Sequence, residues 1–205
     1  MFACIKTESG MKKFLLVLII LGTAVTSSFA QLTGPGNFNL GLYGALPLTN
    51  MRPIFNAGVG GSLEYEYKVG SLPFKKKPDF LNNLYITLES GYEIFDVVTK
   101  LQNAYVPSTY GYVPVNAGLK YYGFKGLYAE FQLGGVYYTQ HGGHHAFDYS
   151  PSIGYSFKRG LEIGFRYQQW VQRPENHITG DYGQSGPFAK TSDFKQFQLR
   201  LAERF

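Results

Sequence analysis

Apolar and polar residues alternate with a period of two along eight separate stretches of this chain. Successive side chains of a β-strand point to opposite faces, so this alternation predicts strands with one apolar and one polar face. Each stretch has about nine to thirteen residues, the length with which a tilted strand crosses a bilayer. The pattern predicts an all-β fold, an eight-stranded antiparallel transmembrane β-barrel, with strands at 38–46, 57–69, 84–94, 112–122, 127–138, 147–157, 161–170 and 193–205.

The last predicted strand ends on an aromatic residue and carries its apolar side chains on one face. Its other face carries Gln196, Gln198 and Arg200. An aromatic residue at the end of such a strand, in a chain with an export signal, is typical of outer-membrane β-barrels. We therefore predict that the barrel-assembly machinery binds this strand through the apolar residues Phe197, Leu199, Leu201 and Phe205.

The lengths of the connections distinguish the two ends of the predicted barrel. Only GFKG separates the fourth and fifth strands, and KRG lies between the sixth and seventh. The longer connections 47–56, 95–111 and 171–193 alternate with these turns. Short periplasmic turns and longer outward loops are the pattern of bacterial barrels. The connection 70–83 is long for a periplasmic turn, and the pattern does not explain it.

The N-terminus has the features of an export signal. Lys12 and Lys13 precede an unbroken apolar run, 14–21, which is shorter than the roughly 20 residues of a spanning helix. Small residues at Ser28 and Ala30 predict cleavage after Ala30. We expect Met11 to be the true start, a cleaved signal peptide within residues 1–30, and one barrel domain over 31–205.

Composition and charge exclude several classes of function for the mature chain. Cys4, the only cysteine, lies before the cleavage site, so the mature chain has no disulfide and no thiolate metal site. Residues 1–30 also remove three of the 19 basic residues and one of the 14 acidic ones, which leaves a net charge of +3. This charge is too small and too dispersed to indicate nucleic acid as a partner.

Aromatic residues stand near both ends of the predicted apolar faces, as they do in the interfacial belts of membrane proteins. For the periplasmic rim we predict Tyr67, Tyr121, Tyr155, Phe157 and Phe205. For the outer rim we predict Tyr92, Tyr112, Tyr137, Tyr149 and Tyr167.

The polar faces of the strands predict a charge network inside the barrel. An eight-stranded barrel has an interior just wide enough for side chains, which favours paired charges that fill it. A gated conduit and a proton or ion relay are the alternatives. Arg166 and Arg200 are the predicted bridging cations, in a network of Glu64, Glu66, Glu89, Glu93, Lys120, Glu130, Glu162, Arg166 and Arg200. Asp148, Lys68 and Arg204 share the inward face, so we expect nearly balanced charge.

The terminal aromatic strand, the signal peptide and the strands VPVNAGLKYYG and LYAEFQLGGVYY resemble the small outer-membrane β-barrel family. That family includes OmpA-like and OmpX-like barrels and the porin-family domains common in Bacteroidota. The resemblance implies an integral protein of the Gram-negative outer membrane, surrounded by its lipids, without enzymatic activity or cofactor. It implies an envelope-structural or surface-interaction role through extracellular loops, with an unknown surface ligand. A narrow porin-like channel for small solutes is the alternative, and a lipid-modifying outer-membrane enzyme is the third hypothesis. A soluble lipid-binding barrel is the competing fold.

Candidate chemistry elsewhere in the chain is weak. The pairs Glu64/Glu66 and Glu89/Glu93 would need a substrate cleft to act as general acid and base, and a filled lumen offers none. Lipid-A deacylases are small barrels with a His-x-Ser motif, and here Gln169 stands at the corresponding place without a following serine. His177 and Thr179 in the last loop are a poor substitute, so we predict no catalytic residue.

Two further clusters have a simple solvated interpretation. His141, His144 and His145 could bind a divalent metal, but no carboxylate or fixed scaffold completes the set. The basic run 75–77 is interpreted as a solvated turn, with phospholipid headgroups or a periplasmic protein as alternative partners.

Overall fold

The chain forms a closed barrel of eight antiparallel strands. The computed structural model describes residues 35–48, 51–73, 78–99, 108–139, 145–171 and 193–205. Each strand pairs with the next, and the first also pairs with the last, which closes the sheet. The predicted eight-stranded antiparallel barrel is therefore confirmed. The strands are β1 Gly36–Pro47, β2 Phe55–Lys68, β3 Leu84–Val97, β4 Thr109–Tyr122, β5 Leu127–Tyr138, β6 His145–Ser156, β7 Leu161–Val171 and β8 Asp193–Arg204.

The alternation of each strand separates an apolar outer face from a largely polar interior. Leu42 and Ile153 are 72% and 64% exposed on the outside, while Glu64 and Gln132 are fully buried inside. Leu119, Phe131, Ile163 and Leu199 also point outward. Soluble proteins bury large apolar side chains and expose charged ones. This barrel has the opposite distribution, as the faces of the predicted strands require.

The two ends of the barrel differ in their connections. At one end, which we call the turn end, β4–β5 and β6–β7 are joined by tight turns whose glycines, Gly126 and Gly160, have φ of 91° and 87°. Only glycine adopts such angles readily. The opposite end, which we call the loop end, carries the connections β1–β2, β3–β4, β5–β6 and β7–β8.

The long connection between β2 and β3 also lies at the turn end, and the structure describes residues 69–73 and 78–83 of it. It contains two 3-10 helices, Val69–Ser71 and Asp79–Asn83. They approach closely, since a Cβ atom added to Gly70 would meet the carbonyl oxygen of Leu81. Within the described ranges, no helix has the length and apolar character needed to cross a membrane.

A bulge in β2 changes which side chains enter the barrel near the loop end. The pairing with β3 shifts register between Phe55 and Gly58. A bulge adds one residue to a strand and so exchanges its two faces. Phe55 consequently lies inside although it is odd-numbered, whereas Glu64 and Glu66, beyond the bulge, enter from even positions.

Substitution of Gly134 in β5 tests how closely neighbouring strands approach each other in this barrel. A Cβ atom there would overlap the carbonyl oxygen of Val115 and the side-chain oxygen of Asn116. We expect Gly134→Val to lower the free energy of unfolding by about 2–3 kcal/mol, as overpacking does. Gly44→Val is the matched control, because a Cβ at Gly44 meets nothing within 4 Å. Urea unfolding followed by the emission of Trp170, the single tryptophan, measures both; equal midpoints would contradict the prediction.

Candidate functional site: the barrel lumen

The lumen is organised in layers, and the layer nearest the turn end is built on Lys120. The Nζ atom of Lys120 lies 3.2 Å from Glu64, 2.5 Å from Glu66 and 2.8 Å from Glu162, and all four side chains are buried. These residues come from β4, β2 and β7. The ammonium also lies 4.3 Å from the ring centroid of Tyr128, a favourable position for a cation. We call this set the lysine layer.

Neutral side chains complete the bonding of the lysine layer. The amide nitrogen of Asn39 donates to Glu64 and to Glu66, each at 2.7 Å. The hydroxyl of Tyr122 lies 2.9 Å from Glu66 and 2.7 Å from Glu162. A buried ion pair is stable only when hydrogen bonds replace the lost hydration, and three carboxylates around one ammonium need these additional donors.

The next layer toward the loop end is built on Arg166, and we call it the arginine layer. Its guanidinium donates to both oxygens of Glu89, at 3.0 and 2.6 Å, in the bidentate geometry that favours arginine–carboxylate pairs. Glu130 lies 3.7 Å from the same guanidinium. Gln132 donates to Glu89 and Glu130, and Ser152 donates to Glu130.

Arg200 lies in the lumen without the bonding that Arg166 has. Its shortest ion pair joins NH2 to Glu64 at 3.7 Å. Among the described residues, none accepts a hydrogen bond from its Nε or its two terminal nitrogens, although the side chain is 4% exposed. Arg166 therefore has the geometry of the predicted bridging cation, and Arg200 contributes charge at longer range.

Two carboxylates nearer the loop end are held only by neutral amides. Asp148 accepts from Asn116 at 2.6 Å and from Gln168 at 2.5 Å. Glu93 accepts from Gln196 at 3.1 Å and more weakly from Gln198, and both glutamines also donate to Gln168. We call this set the amide layer. In the described part of the chain, neither carboxylate forms an ion pair.

An apolar cluster that the sequence analysis missed closes the loop end of the lumen. Trp170 stacks on Phe194 with ring centroids 4.3 Å apart, and Phe95 meets Phe194 at 5.2 Å. We call this cluster the aromatic plug. Strand parity could have revealed it, because Phe95 follows Glu93 and Trp170 follows Gln168 on the inward face. Its members are Ala45, Met51, Ile54, Phe55, Phe95, Val97, Tyr112, Val136, Ala146, Trp170 and Phe194.

One aromatic residue that we predicted for the outer belt, Tyr112, lies in the aromatic plug instead. Tyr112 is 2% exposed and lies inside the barrel, 4.8 Å from the ring of Trp170. It has the parity of Asn116 and Lys120, which are inward. The other outer-rim tyrosines point outward, and the hydroxyls of Tyr149 and Tyr167 donate to Gln169. At the turn end Tyr121 and Phe157 are exposed, and Tyr67 and Tyr155 are half-buried.

The charge inside the barrel is less balanced than the inward faces of the strands predict. Those faces carry seven acidic and five basic side chains. Lys68 and Arg204 are only partly buried, Arg204 lying 3.9 Å from Glu162 at the turn end. The buried lumen of the described chain thus holds three cations, Lys120, Arg166 and Arg200, against the carboxylates Glu64, Glu66, Glu89, Glu93, Glu130, Asp148 and Glu162.

One trio of these carboxylates has the spacing of a metal site. Oxygen atoms of Glu64, Glu89 and Glu130 lie within 4.8 Å of one another. Arg166 and Arg200 already place positive charge beside all three. Internal guanidinium groups therefore supply the charge that a bound cation would otherwise provide.

Several predicted positions fall at the rims or outside the described residues. Gln169 also donates to Asp193 at 2.9 Å, on the outer face near the loop end. His145 is exposed at the start of β6. His141, His144, His177, Thr179 and the basic run 75–77 lie outside the described residues. In β8, Phe197, Leu199 and Leu201 point outward, and the strand ends at Arg204, one residue before Phe205.

Comparison with known proteins finds similarity only at the level of solved structures. No known family and no curated protein matches the sequence. The attachment invasion locus protein Ail of Yersinia pestis is 12% identical, with a TM-score of 0.45 over 83% of this chain and 97% of Ail. The N-terminal β-barrel domain of Pseudomonas aeruginosa OprF is 11% identical, with a TM-score of 0.44 over 82% of this chain and 97% of the OprF domain. Neisserial surface protein A is 11% identical, with a TM-score of 0.47 over 83% of this chain and 96% of that protein.

Lys120 gives a direct test of how much the lysine layer stabilises the barrel. Lys120→Met would leave three buried carboxylates without their shared cation, so we expect the free energy of unfolding to fall by about 3–5 kcal/mol. Adding Glu66→Gln should restore part of this loss by removing one unpaired charge. Lys158→Met, at an exposed lysine, is the control with little expected effect. Urea unfolding monitored by Trp170 emission measures these changes. Equal unfolding midpoints for Lys120→Met and Lys158→Met would contradict the prediction.

Proposed function

We propose that this protein is an integral barrel of the Gram-negative outer membrane with no enzymatic activity, which acts through its outer wall and its loop end. One observation carries the proposal: large apolar side chains cover the outside of the barrel, while charged side chains fill the inside. Such a surface is stable where lipid, rather than water, surrounds the protein.

The closed sheet supports the proposed membrane location. Backbone groups in a bilayer core must be satisfied within the protein, and a closed barrel is one of the two architectures that achieve this. The strands have 11 to 14 residues, enough for the roughly 9–11 residues of a tilted crossing. Outward tyrosines and phenylalanines near both rims match the preference of aromatic rings for headgroup depth.

Because the lumen is filled, we place the proposed role at the outer surfaces of the barrel. Layers of paired charges and the aromatic plug occupy the interior, so its carboxylates face one another rather than a substrate cleft. Two of the connections at the loop end, 99–108 and 172–192, contain Tyr, Asn, Gly and Ser residues that suit adaptable polar contacts. A structural role in the envelope, or surface contact through these loops, is the function that this arrangement supports best.

A narrow channel is the second candidate, because polar atoms in the lumen need more partners than the described residues supply. The buried nitrogens of Arg200 and side-chain oxygens of Asn39 and Asn116 have no hydrogen-bond partner there. Water in the lumen would satisfy them. The aromatic plug opposes conduction, since its rings fill the lumen at the loop end.

The membrane location is tested by extraction and by electrophoresis. We expect the protein to stay in membranes washed with urea and to migrate differently in boiled and unboiled samples, because a closed barrel resists detergent unfolding until it is heated. Release by urea together with unchanged mobility would contradict the proposal and favour a soluble barrel. A known periplasmic protein from the same cells is the control for the wash.

Conductance measurements distinguish the proposed closed barrel from the alternative channel. We expect the native protein to show no conductance in planar bilayers. Trp170→Ala with Phe194→Ala removes the stacked rings at the loop end and should also give no conductance, because the ion-paired layers still fill the lumen below them. The control is Phe147→Ala with Phe165→Ala, at exposed rings of the outer wall. Reproducible conductance from the native protein would overturn the closed lumen and establish the channel.

A further inference from the structure

A groove of about 620 Å³ crosses the outer wall of the barrel near the turn end. Its lining comes from the outward side chains of five consecutive strands, among them Tyr121, Leu127, Ile153, Ile163 and Leu199. We call it the wall groove. Ala129 lines it and is paired across the sheet with Tyr121 on one side and with Ile153 on the other. A small residue between larger ones leaves a depression.

Two basic turns border the wall groove. Gly123 and Leu127 line the groove and enclose the first turn, which presents Lys125. Tyr155 and Ile163 line it as well and enclose the second turn, which presents Lys158 and Arg159. The turns lie side by side, since a Cβ atom at Gly126 would meet the carbonyl oxygen of Ser156.

The charge at this border is positive. The turns 123–126 and 157–160 contain three basic residues and no Asp or Glu, and all three are exposed. Glu203 is the exposed carboxylate on the adjoining strand, opposite Leu161 in β7. Glu162 points inward to Lys120. The exposed side chains of the two turns therefore carry three positive charges, against the single negative charge of Glu203 beside them.

We propose that the wall groove and these turns bind one anionic membrane phospholipid, with the acyl chains in the groove and the phosphate beside Lys125, Lys158 and Arg159. The proposal rests on the proposed membrane location. Phe124, 76% exposed beside Lys125, adds an aromatic ring of the kind that prefers headgroup depth. Lysine and arginine bind phosphate oxygens through charge-assisted hydrogen bonds.

Charge favours a phospholipid over a second copy of the chain. Two identical barrels in one membrane associate most simply about a two-fold axis along the membrane normal, which brings the same surface of both together. The basic turns of one copy would then lie near those of the other, and like charges would repel. A phosphate group instead complements them.

Native mass spectrometry of the full-length protein in detergent, titrated with phosphatidylglycerol, tests the phosphate contact. We expect one lipid bound per barrel. The variant Lys125→Asn/Lys158→Ala/Arg159→Ala should bind about a hundredfold more weakly, at roughly fivefold for each basic residue. Asn is chosen at position 125 because Lys125 has φ of 57°, which Asn tolerates. Arg52→Ala/Lys195→Ala, near the loop end, is the control and should bind as the native protein does.

A second pair of variants tests the groove independently of charge. Ala129→Phe places a large ring in the groove and should abolish the one-to-one adduct. Ala117→Phe places the same ring on the outer face of β4, away from the groove, and should leave the adduct unchanged. Equal binding by the two phenylalanine variants, no adduct from the native protein, or a dimer in place of the adduct would overturn the proposal. The heat-dependent mobility shift of each variant shows that it is folded, so failure of lipid binding is distinguished from failure of the membrane location.

Discussion

Closure of the sheet between β1 and β8 is the constraint on which the rest of this structure depends. The ladder from Asn39↔Arg204 to Pro47↔Gln196 pairs the two strands that would otherwise be edges. Once the sheet is closed, each side chain faces either the lumen or the surroundings, because strand geometry offers no third direction. Polar residues on the inward face are then buried together, and apolar residues on the outward face are exposed together.

Burial of so many polar groups explains the layered interior. An isolated carboxylate in such a space is strongly destabilising, so it needs a cation or several hydrogen-bond donors. Lys120 meets this need for three carboxylates, and Arg166 meets it for Glu89 with Glu130 nearby. Asp148 relies on neutral amides. The aromatic plug then fills the loop end with mainly apolar side chains, and the surfaces left for interaction are the outer wall and the loops.

The outer wall is not uniform, and its differences have simple local causes. Where an outward side chain is large and lies outside the groove, as at Leu42, it protrudes from the wall and is 72% exposed. Where Ala129 lies between larger neighbours, the wall forms a groove. The tight turns that close β4–β5 and β6–β7 place basic residues at the end of that groove, because both turns are at the same end of the barrel. Strand order alone thus brings an apolar surface beside a positive one.

The alternating pattern by itself determined the number of strands, their order and the inward or outward direction of residues such as Glu64 and Leu119. It could do so because the direction of a strand side chain depends only on local parity. The tertiary structure alone decided which inward groups meet. Lys120 reaches Glu64 and Glu162 across the lumen, 56 and 42 residues away. The inward turn of Phe55 depends on a bulge against β3. Such contacts follow from strand stagger, closure and register, which a period of two does not encode.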